Sequence, residues 1–233
     1  MKKTMIVSML NVVVVTATIP VRSLDLIDQE AVDAHFTEER QRHQTILEKT
    51  QKAKTDDDHT ALSEAIKLVF FNLESTGENI KYLQEELVPK FEITQALLIK
   101  ALECTVRENL SAIAKDEKAV YSSSAAGSLQ MLGSFHDYDI LPLVKECLLS
   151  RVSVQYDALV TYVNHEGVKT IPFLRETIKK GKLPDRVCLG LYKHLEKVSA
   201  NFETEGKNAD VDKINAFLKE MKQAEQAKEN GGN

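Results

Sequence analysis

Two stretches of this chain echo each other at a distance of thirty residues. Residues 128–148 read SLQMLGSFHDYDILPLVKECL, and residues 158–178 read ALVTYVNHEGVKTIPFLRETI. Superposed, they place Leu129 on Leu159 and Pro142 on Pro172, with aliphatic or aromatic pairs at 141/171, 143/173, 144/174 and 148/178. The echo extends backwards. Residues 60–87 match the first string at an offset of 61, so that Ala65 falls on Ala126, Leu68 on Leu129, Ile80 on Leu141 and Leu87 on Leu148. Residues 95–117 fit between them, with Leu98, Ala101, Leu110 and Ile113 in the slots of Leu68, Phe71, Ile80 and Leu83. Copies near 65–87, 95–117, 126–148 and 156–178 result, and VCLGLYKHLEKV (187–198) supplies a fifth half-copy.

Within each copy the apolar positions recur at spacings of three and four on either side of a polar break, which is the pattern of two helices joined by a turn. Ser75 and Glu78 form a capping-box pair for the second helix of the first copy. Pro142 and Pro172 fall in the first turn of their helices, where the missing N–H costs nothing. In the second copy the turn is expected near Cys104–Arg107. A short helix pair cannot bury its apolar stripe alone, so repeated pairs stack on their neighbours. Scarce Gly (9), Pro (5) and aromatic residues (6%) also favour long helices over a sandwich rich in turns. The expected fold is all-α, an α-α superhelix of about four helix pairs with capping helices at both ends; an irregular helical bundle is the alternative.

The copy at 126–148 resembles a short HEAT repeat of the bacterial kind. The resemblance is carried by Leu129–Leu132 and Gly133 closing the first helix, the acidic loop Asp137–Asp139, and then Ile140-Leu141-Pro142-Leu143-Val144. The following copy keeps Ile171-Pro172-Phe173-Leu174, with Val163 in place of Gly133 and Glu166 as its loop acid. The resemblance covers about 125–197. It implies a right-handed stack of helix pairs whose concave face binds a partner, and no catalytic activity.

The ends differ from the array. MKK, the mostly apolar run Thr4–Ile19 and small residues before Ser23 follow the logic of a secretory signal. Residues 1–23 are therefore expected to be removed, leaving a secreted or periplasmic protein without an integral membrane span. That removal takes three bases and no acids, moving the formal charge from −5 to −8. An acidic chain of this kind is a poor general ligand for nucleic acid. Residues 24–58 are expected as an N-terminal amphipathic helix, with the acids at 56–58 suited to the start of the next helix. Residues 59–198 form the repeats. Residues 199–233 divide into a linker at 201–209, a capping helix over 210–228 with Val211, Ile214, Phe217, Leu218 and Met221 on one face, and a disordered tail.

Chemistry is thinly signalled. Cys104, Cys147 and Cys188 lack metal-ligand spacing and are expected as buried thiols, with a single disulfide still open. Ser122–Ser124 read as a helix start. No catalytic motif is present, and neither a cofactor nor a catalytic residue is expected. One polar cluster stands out: His136, Asp137 and Asp139 with His165 and Glu166, which stacking would bring to one edge where a divalent metal is conceivable. The stronger signal is charge. Residues 169–197 carry eight bases against three acids on an otherwise acidic chain. Arg175, Lys179, Lys180, Lys182 and Arg186 are the candidate partner-binding residues. The expected function is an exported, non-enzymatic scaffold for a protein or peptide partner of acidic character, with a metal-binding module or enzyme at the His136/His165 edge as the alternative. Oligomeric state is open.

Overall fold

The computed structural model describes residues 29–71, 75–116 and 118–230. The apolar run at Thr4–Ile19 and the cleavage expected after Ser23 lie outside the described residues. Among those described, all regular structure is helical. In chain order the elements are α1 (Gln29–Asp56), α2 (His59–Phe70), α3 (Thr76–Tyr82), a π turn (Leu83–Leu87) running into α4 (Val88–Lys90), α5 (Gln95–Lys115), α6 (Ser123–Leu132) and α7 (Leu141–Cys147). They continue with α8 (Val152–Glu166), a 3-10 turn (Gly167–Thr170), α9 (Ile171–Lys179), α10 (Asp185–Thr204) and α11 (Asn208–Asn230).

The chain divides after Gln44 into two units. The described part of the first is the polar N-terminal stretch of α1, whose His35 and Glu39 pair across one helical turn at 3.5 Å. The second unit, residues 45–233, holds the packed helices.

Local chemistry sets most boundaries. Asp58 caps α2 by accepting from Thr60 N (2.9 Å) and Ala61 N (3.2 Å), and those backbone donors, Ala61 first, hold its carboxyl below its ordinary range. Ser75 and Glu78 make both bonds of the capping box. Ser122 caps α6 through Ala125 N (3.2 Å), and Pro142 and Pro172 sit in the first turns of α7 and α9. At the end of α10, Gly206 takes φ +75°; its N–H donates to Glu203 O and that of Lys207 to Phe202 O, closing a Schellman motif. Asn201–Thr204 thus complete α10, and the linker expected over 201–209 shrinks to a turn.

Two of the expected copies hold a pair of helices, α2 with α3 at 65–87 and α6 with α7 at 126–148. The copy at 95–117 does not: α5 runs unbroken through the turn expected near Cys104–Arg107. That segment holds no Gly or Pro, Arg107 pairs with Glu103 one turn back (2.8 Å), and Leu102, Thr105 and Val106 keep the buried stripe continuous. In the copy at 156–178 the break is a bend, with Gly167 at φ +57° leading into the 3-10 turn.

The longer helices pack largely in chain order, α2 on α5, α5 on α6, α6 on α8, α8 on α10 and α10 on α11, while α6 also lies on α2 and α3. Helices inside such an order bury two faces. Helix α8 turns Val154, Ala158 and Tyr162 toward one apolar cluster, which α2, α5, α6 and α7 also fill, and Leu159 and Val163 toward a second, completed by α9, α10 and α11. The α2–α5 contact carries a buried hydroxyl pair, Ser63 and Thr105 at 2.9 Å. The expected apolar face of α11 is in place, with Ile214, Phe217, Leu218 and Met221 buried.

Candidate functional site

The five basic residues singled out from the sequence do not share one surface role. Helix α9 carries Arg175 and Lys179 one turn apart, and both reach Glu220 on α11, each at 2.9 Å. The Arg175 guanidinium also lies 5.8 Å from the centroid of the Phe217 ring. Hydrogen bonds from Lys179 and then Arg175 hold the Glu220 carboxyl below its usual range. These two bases therefore fasten the last helix. Lys180 pairs with Glu176 on its own helix. Lys182, in the loop after α9, and Arg186, on the first turn of α10, are both exposed. Neither makes an ion pair among the described residues.

Arg186 borders a cleft of about 460 Å³ between the N-terminal ends of α8 and α10. Its other walls are Val152, Tyr156, Val187, Gly190 and Arg151. The Tyr156 ring lies so close to the α10 backbone that a Cβ on Gly190 would come within 2.8 Å of it. Arg151 is fixed in place, its guanidinium donating to the carbonyls of Ala119 (2.6 Å) and Asp116 (3.1 Å). Beside it, the Gln155 amide donates to Leu148 O and Ser150 O and closes the turn between α7 and α8. Arg151 is also a wall of a second cleft of about 580 Å³, whose lining includes Leu110, Ile113, Ala114, Leu149 and Glu146. Sequence reasoning missed Arg151, Tyr156 and Leu149, because nothing in their local pattern distinguishes them from ordinary helix-end residues.

Stacking does bring the two histidines together. The His136 and His165 rings lie nearly parallel, 16° apart, with centroids 6.4 Å apart. His165 is buried; its Nδ1–H donates to Gly133 O (3.0 Å), and its Nε2 lies 3.5 Å from Glu166. Asp139 instead accepts from Leu141 N, at the first residue of α7, at 3.2 Å. Tyr138 donates to Glu103, which with Glu146 clasps Arg107; burial, followed by that hydrogen bond, raises the Tyr138 hydroxyl well above its ordinary value. Among the described residues, no group of three or more His, Cys, Asp and Glu side chains is arranged to hold a metal ion. Cys147 and Cys188 are buried and Cys104 is half-buried. Burial pushes the Cys147 thiol up to about 12, which leaves it a poor nucleophile.

The structure thus defines an all-α protein of sequentially packed helices with two adjoining surface clefts. No helix among the described residues is long and apolar enough to cross a membrane. No family model, curated protein or solved structure matches the chain.

Proposed function

We propose that this chain is an exported, non-enzymatic scaffold of HEAT-like helix pairs that binds a protein or peptide partner of acidic character. The observation that carries the reading is the packing order, in which each long helix from α2 to α11 rests on the next in sequence. An array of that kind builds extended surface in proportion to its length, which suits partner binding more than enclosed chemistry. The basic stretch supports the acidic character of the partner, since a local excess of positive charge on an acidic chain steers anionic segments toward it. Export rests on the apolar run at Thr4–Ile19 and its basic leader.

The test is a pull-down from envelope and culture-medium fractions, comparing the natural protein with a variant carrying Lys180→Glu, Lys182→Glu and Arg186→Glu. Arg175 and Lys179 are left intact, because reversing them would place like charges against Glu220. A partner captured by the first and lost by the second, with unchanged circular dichroism, supports the scaffold. Capture by neither counts against it.

A second reading, a metal site at the loop edge, is favoured by the stacked His136 and His165 alone. It requires zinc or manganese to raise the melting temperature of the natural protein and not of His136→Ala.

A further inference from the structure

We infer that the two clefts separated by Arg151 form one binding surface for a peptide bearing an apolar anchor next to carboxylates. The inference rests on the scaffold reading and locates its site.

Among the described residues, the most exposed large apolar side chain rims this surface, and two others stand near its lining residues in sequence. Leu149 is 90% exposed and rims the cleft of Leu110 and Ile113. Val120, 77% exposed, follows Ala119, whose carbonyl takes the Arg151 hydrogen bond. Leu189, 56% exposed, stands three residues after Arg186 and so on the same face of α10. A single exposed leucine is unremarkable on a protein surface, but one that rims a concave cleft is what an interaction site presents.

The cleft at Arg186 supplies the charge. Arg186 reaches it without an ion pair among the described residues, its only carboxylate-bearing neighbour in sequence being Asp185. Lys182 adds charge four residues earlier. Val152, Val187 and Tyr156 line it beside Arg186, the Tyr156 ring held against the α10 backbone. An arginine beside an apolar and aromatic lining suits a carboxylate on a flexible stem, because the guanidinium offers paired donors in a fixed fork. Glu146 lies at the other end of the surface, clasped by Arg107 through two contacts of 3.1 and 3.3 Å. The polarity therefore runs from apolar at Leu110, Ile113 and Leu149 to basic at Arg186. A peptide with leucine followed by glutamates matches that direction. An anionic lipid surface matches the charge but not the concavity.

The experiment measures fluorescence anisotropy of a short fluorescein-labelled peptide alternating leucine and glutamate, titrated with the full chain. Companion peptides replace glutamate by glutamine, or leucine by serine. Leu149→Glu and Arg186→Glu are each expected to weaken the leucine–glutamate peptide about tenfold, and Phe71→Glu, at an exposed site outside both clefts, to leave it unchanged. Both companion peptides should bind more weakly than the parent. Affinity unchanged in both cleft variants overturns the assignment, as does equal binding of the glutamine peptide. Co-sedimentation with phosphatidylglycerol vesicles that Arg186→Glu abolishes, without peptide binding, overturns it in favour of a lipid surface. If no peptide binds while the pull-down above still captures a partner, the location fails and the scaffold stands; if both are negative, both fail.

Discussion

Among the described glycines, Gly127 leaves the least room for a side chain, and it allows a sharp test of how α6 meets α2. A Cβ built on Gly127 would fall 2.1 Å from Phe70 Cε1 and 2.4 Å from Cζ. Ordinary contact begins beyond 3.4 Å, so the Gly127→Ala substitution requires the ring to retreat by roughly 1 Å. Phe70 is 2% exposed and packed within the first cluster, so the displacement is passed on to its neighbours. Overpacking of that kind costs about 1–3 kcal/mol, and this case belongs near the upper end. Against it stands the helix preference of Ala over Gly, about 1 kcal/mol in favour. The expected net loss is about 2 kcal/mol. Phe70→Leu alone should cost about 1–2 kcal/mol through lost packing, and it also removes the obstructing ring edge. In the double variant Gly127→Ala should therefore turn neutral or stabilising, a coupling of about 2–3 kcal/mol. The assay is urea unfolding followed by far-UV circular dichroism, with unchanged slopes required for the comparison. If Gly127→Ala raises the midpoint by the same amount in both backgrounds, α6 does not rest on Phe70 as described.

Glu92 takes φ +50° at the turn after α4, closing a Schellman motif usually reserved for glycine. Glu92→Gly should therefore raise stability by about 1 kcal/mol in urea, and a loss would show that the Lys54 contact to its carbonyl and carboxylate matters more. Glu220 has a depressed carboxyl in the folded state, so its contribution is present above its ordinary value of 4.5 and is lost as pH falls through the folded value. Glu220→Gln should lower the urea midpoint at pH 7 and match the natural protein in strong acid; a gap that persists in acid contradicts the ion-pair account. Asp157 is the opposite case, its carboxyl raised by burial, so its charge opposes folding at neutral pH and the penalty vanishes as pH falls below 3.8. Asp157→Asn should raise the midpoint at pH 7 and not in acid, and a lower midpoint at pH 7 would refute the burial argument.

What the sequence determined by itself was the class of the fold and the ends of many helices. Helical spacing of apolar residues is a local property, and so is a capping serine, an aspartate before a helix or a proline in its first turn. Asp58, Ser75, Ser122, Pro142 and Pro172 all act where they were expected because their partners lie within a few residues. Only the tertiary structure decided the rest. Helix α5 passes straight through an expected turn because a thirty-residue period records the spacing of apolar stripes, and an unbroken helix satisfies that spacing as well as a hairpin does. The convergence of His136 and His165 was legible from the period, but not that one ring would be buried against Gly133 and the acids beside them used elsewhere. The basic stretch shows the limit most clearly. Charge along a chain is a sum, whereas its availability depends on what each side chain meets after folding. Glu220, 45 residues beyond Arg175, takes up two of the five bases, and Arg186 finds itself in a cleft whose facing wall comes from α8. No local signal can place such partners, because their distance is set by the packing of helices rather than by the residues between them.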